Sequence, residues 1–75
     1  MVTHVIGDAL PADFDRFVGN VRAQGCTVVI VKRPTLSMNS FQLQVEGELN
    51  DEFFRGQGNI RITSRWCDER EPALT

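Results

Sequence analysis

Catalysis in so short a chain would require its few reactive side chains to converge. His4 is the single histidine of the 75 residues, and Cys26 and Cys67 are the two cysteines. A nucleophile–base pair needs a thiol or hydroxyl held beside the imidazole, and no spacing in this sequence places one there. His4, Cys26 and Cys67 also lack the short local spacing of a zinc site. Gly56-Gln57-Gly58 leads into a predicted strand instead of opening a helix, which is the wrong context for cradling phosphate. The expectation is a protein that is not an enzyme and holds no cofactor or metal. The two thiols read as ordinary small core or edge groups, since a disulfide would need their strand ends to be neighbours about 6 Å apart at Cα.

Recognition chemistry is better represented. Phe53-Phe54-Arg55 sits in the glycine-bearing connection Asn50 to Gly58. Two rings and a forked donor supply large contact area with few rotors, which is what a docking hot spot needs. The competing reading lays both rings over the open end of the core. Lys32, Arg33, Arg55, Arg61 and Arg65 form a dispersed basic set interleaved with Glu46, Glu48 and Glu52. A net charge of −2 gives no bulk attraction to phosphate or to anionic membrane.

The elements that must position these groups follow from periodicity. Val2 to Ile6 is short and β-branched and reads as a strand stopped by Gly7-Asp8. Pro11 to Gln24 reads as a helix, with Phe14, Phe17, Val18 and Val21 on one stripe, Pro11 at its first position and Gly25 as its stop. Cys26 to Lys32 is a dense β-branched run, predicted as a strand buried on both faces. Pro34 to Ser40 reads as a loop. From Phe41 the sequence alternates, with Phe41, Leu43, Val45 and Leu49 inward and Gln42, Gln44, Glu46 and Glu48 outward. The last strand is expected to turn Ile60, Ile62 and Trp66 inward and Arg61, Thr63 and Arg65 outward, joined to its predecessor by a long hairpin in which Asn50 caps a single helical turn.

The order β-α-β-β-β predicts a two-layer α+β domain over residues 1–68, one helix on a mostly antiparallel four-stranded sheet, with a polar tail at 69–75. The first two strands are expected to run parallel as a right-handed pair. One helix cannot hide both faces of the second strand. With Val28 and Ile30 beneath it, Val29 and Val31 face outward as an apolar patch. Opposed acids and arginines on the two later strands would form cross-strand ion pairs.

The resulting expectation is a small cytoplasmic protein–protein interaction module using Phe53, Phe54, Arg55, Arg61, Arg65, Val29 and Val31. It would bind and block a larger protein, in the manner of a phage or mobile-element inhibitor of host machinery, or dimerise. The alternatives are a single-strand nucleic-acid binder using the Arg61/Arg65 face, and a structural subunit of a larger assembly. No stretch is long and apolar enough to span a membrane.

Overall fold

The computed structural model describes residues 2–68; the predicted tail at 69–75 lies outside them. Six elements follow in order: β1 (Val2–Asp8), α1 (Pro11–Ala23), β2 (Thr27–Lys32), β3 (Ser40–Glu46), α2 (Asp51–Arg55) and β4 (Arg61–Asp68). This is the expected α+β class, with one substantial helix on an open antiparallel sheet. The single turn α2 lies where Asn50 was expected to cap it, and Asn50 Oδ1 accepts from the Phe53 N–H at 3.0 Å.

The sheet order is β2-β3-β1-β4, and every neighbouring pair is antiparallel. Two expectations are corrected here. β1 and β2 run in the same direction but do not pair, because β3 lies between them. β3 and β4 form no hairpin, because β1 separates them. Each half of the chain is therefore a split β-α-β unit with a strand of the other half inserted. The acids of β3 accordingly do not stand opposite the arginines of β4, and the cross-strand ion pairs do not form.

The main core lies on one side of the sheet; on the other side the register places Val2, which is also buried. Phe14, Phe17, Val18 and Val21 of α1 are buried, as their spacing predicts, over Val5 of β1 and Phe41, Leu43 and Val45 of β3. Phe41 meets Phe14 and Phe17 at ring-centroid distances of 5.1 and 6.2 Å. Each such side chain contributes roughly 1.5–3 kcal/mol through burial. Helix α1 begins at Pro11 without a side-chain cap and ends before Gly25, whose φ of +85° suits glycine.

The prediction for β2 is also corrected. It is an edge strand, hydrogen-bonded to β3 alone. Val28 and Ile30 pack beneath α1, while Val29 and Val31 are each 50% exposed. Its continuous apolar run reflects β-branched propensity at an edge, where burial on two faces is not required.

β1 runs on through Gly7-Asp8 instead of stopping there. The register with β4 shifts at this point: Ile6 is opposite Ser64 and Gly7 opposite Ile62, which leaves Thr63 as the extra residue of a bulge. Thr63 Oγ1 donates to the Ile6 carbonyl at 3.1 Å. A Cβ at residue 7 would stand 2.2 Å from the Arg61 carbonyl oxygen and 3.0 Å from Phe41 Cζ. Glycine here is thus a requirement of close approach within a strand.

Two glycines give opposite expected outcomes in urea denaturation. Gly7→Ala should destabilise by about 2 kcal/mol or more through overpacking. Gly19→Ala, on the exposed side of α1 with nothing within 4 Å of the added methyl, should stabilise by about 1 kcal/mol. A neutral Gly7→Ala would show that the bulge does not press β4 against β1.

Candidate functional site

The bulge at Thr63 advances the alternation of β4 by one residue, and with it the predicted site. Arg65, expected beside Arg61 on the outward face, lies opposite Val5 and so points to the helix side; Arg61 lies opposite Asp8 on the open side. Trp66, expected in the core, lies opposite His4 on the open face and is 43% exposed. The two arginines therefore do not share a surface.

On the helix side, Phe53 and Phe54 both fold over the end of the core. Their centroids lie 6.0 and 6.4 Å from that of Phe17, and they meet each other edge-on at 5.6 Å. The Arg65 guanidinium sits 4.3 Å above the Phe54 ring and pairs with Asp51. Two predicted contact residues, Phe54 and Arg65, thus engage each other, while Arg55 is exposed at the end of α2. Asp51, Phe54, Ile60, Ile62 and Arg65 line a shallow cleft of about 570 Å³. Arg55 lines the same cleft, so of its two guanidiniums one is braced by Phe54 and Asp51 and the other stands exposed.

The open face of the sheet is different, because no helix of the described residues covers it. One row across the four strands reads Val29, Gln44, His4, Trp66 and the next reads Lys32, Gln42, Ile6, Ser64. His4 stacks on Trp66 with centroids 4.9 Å apart and planes 9° from parallel, and its Nε2 lies 3.9 Å from Asp68. The imidazole is thus a structural partner of the indole and a carboxylate. At one corner, Lys32 Nζ reaches Ser40 Oγ at 2.9 Å and Met38 Sδ at 3.5 Å. This brings Met38 to the margin of the face. Leu36, two residues earlier in the same loop, is 85% exposed.

The residues missed from the sequence are Trp66, Ile6, Leu36 and Met38. One signal was available for Trp66. Strict alternation after Ile60 and Ile62 calls for an apolar residue at 64, and serine stands there. Leu36 and Met38 stand in a loop, where no periodicity marks a face.

Cys26 and Cys67 are both free, the first buried and the second exposed. Among the described residues no three His, Cys, Asp or Glu side chains gather as a metal site would require. Also among the described residues, no helix is long and apolar enough to cross a membrane. Comparison with protein-family models, with curated proteins and with solved structures gives no match.

Maleimide should label one thiol of the native protein, at Cys67, and a second only on unfolding; rapid double labelling would contradict the burial of Cys26. Arg65→Met should cost about 1 kcal/mol, through loss of the ring contact and of a half-exposed ion pair. A double-mutant cycle with Phe54→Leu should return a coupling of about 0.5 kcal/mol, and strict additivity would show that the guanidinium and ring do not interact.

Proposed function

We propose that the chain is a small interaction module that docks to another protein through the open face of its sheet. One observation carries this reading: Val29 and Trp66, with His4 and Ile6 between them, lie on the face opposite the core, where no element of the described chain packs, and the bulged Val31 is half-exposed at the edge beside them. Aromatic and β-branched side chains on a rigid, flat support provide contact area at little entropic cost, and His4 holds the indole in place. Occupying a surface on a larger protein, and so blocking it, is the action such a face serves.

Magnitude constrains the partner. The face is about 14 Å between its outer strands and about 24 Å along them, a projected area on the order of 350 Å². Standard complexes bury about 800 Å² per partner. A stable partner must therefore also reach an edge or the Leu36–Met38 loop. Single-strand nucleic acid is less well served, because Arg61 and Arg65 are divided between two faces and Glu46 flanks the open one.

A photocrosslinking amino acid at Gln44, in the middle of the face, should give covalent adducts in the cells that make the protein. The same group at Asn20, on the exposed side of α1, should give none. Absence of adducts from Gln44, or equal yields from both positions, would overturn the docking surface.

A further inference from the structure

The sheet has two free edges, and they are not equivalent. β4 carries the bulge at Thr63 and the charged residues Arg61, Arg65 and Asp68. These are features that keep an edge from pairing. β2 pairs regularly with β3 from Thr27 to Ile30, with neither proline nor charge in that stretch; a register shift then leaves Val31 as the extra residue before Lys32. Among the described residues no strand bonds to the backbone groups along the outer side of this stretch.

We infer that this edge pairs with β2 of a second copy of the chain, antiparallel about a two-fold axis normal to the sheet, to make one continuous eight-stranded sheet. Symmetry permits it, because an antiparallel strand is complementary to itself. Side-chain direction then limits the register, since directly opposed residues must point to the same face. The register centred on the regular stretch sets Val29 against its own counterpart and Val28 against Ile30. Thr27 then meets the bulged Val31 at the margin, where the ladder ends. No charge lies within the paired stretch.

Charge selects the same partner. The C-terminal end of β2 carries Lys32 and Arg33, both exposed; Arg33 is paired with Asp15 of α1 at 3.1 Å, while Lys32 is held by the uncharged Ser40 and Met38 and keeps its charge for a partner. At its N-terminal end Thr27 lies opposite Glu46, and the Cys26 thiol lies 3.7 Å from the Glu48 carbonyl oxygen. Antiparallel pairing brings the basic end of each copy toward the acidic end of the other, twice over, and a second copy meets both ends at once. This deepens the interaction-module reading and rests on it in treating the exposed valines as contact residues. It names one partner and leaves Trp66 free for another.

Light scattering on a sizing column, over a range of concentrations, should give twice the 8.5 kDa mass of the chain. Val29→Lys, which sets two ammonium groups against each other at the axis, should halve that mass without altering the circular-dichroism spectrum. Thr63→Lys on the opposite edge should leave it doubled. Should the lysine variant fail to fold, oxidation of Val29→Cys in a Cys67→Ser background decides the matter. It should give a covalent dimer on a non-reducing gel, and Thr63→Cys in the same background should not. Single-chain mass across the range, a doubled mass that survives Val29→Lys, or equal crosslinking from both edges would overturn the dimer. A monomer that still forms adducts from Gln44 would overturn it while leaving the docking face intact.

Discussion

One helical stripe packs onto one sheet face, and nearly every other feature follows from that limit. Helix α1 has 13 residues and is about 20 Å long. Phe14, Phe17, Val18 and Val21 can close over the inward residues of β1, β2 and β3 and reach no further. Helix α2 is a single turn, so the second split β-α-β unit lacks a full helix over β4. Phe53, Phe54 and the Arg65–Asp51 pair partly substitute for it. They cap the end of the core with two rings and one guanidinium.

The same limit creates the surface on which function is proposed. A two-layer domain of this size has no second helical layer to spend on the far side of its sheet. Gln42, Gln44 and Glu46 keep the centre of that side wet, while Val29 and Trp66 leave its flanks apolar. The two edges differ for a related reason. β4 is interrupted by an extra residue and by charge, whereas β2 pairs regularly and without charge from Thr27 to Ile30 before its own extra residue at Val31.

Much of the local structure was legible beforehand. The helix, its stripe, its proline start and its glycine stop follow from 3.6-residue periodicity and from capping chemistry, which act within a few residues. The Asn50 cap and the outward aim of Val29 are readable from equally local patterns, whereas Val31, which alternation would set beside Val29, is the extra residue of a bulge. The candidate site was less legible. Phe53, Phe54 and Arg65 were picked out as contact groups, yet they contact the core and one another. Trp66 was assigned inward because alternation was carried through Thr63, where the strand in fact holds one residue too many.

What the amino-acid sequence determined by itself is the set of elements and which residues within α1, β3 and the regular stretch Thr27 to Ile30 of β2 share a side, because those patterns are local. What only the tertiary structure decided is strand order, and with it everything that depends on neighbours. Insertion of β3 between β1 and β2, and of β1 between β3 and β4, is chosen by packing across the whole chain, and no short window encodes it. The bulge depends on it as well. Thr63 is extra only relative to the β1 residues it runs beside, and Gly7 is required only because the Arg61 carbonyl presses against it. From that one non-local contact follow the two-faced split of Arg61 and Arg65 and the exposure of Trp66 on the open face.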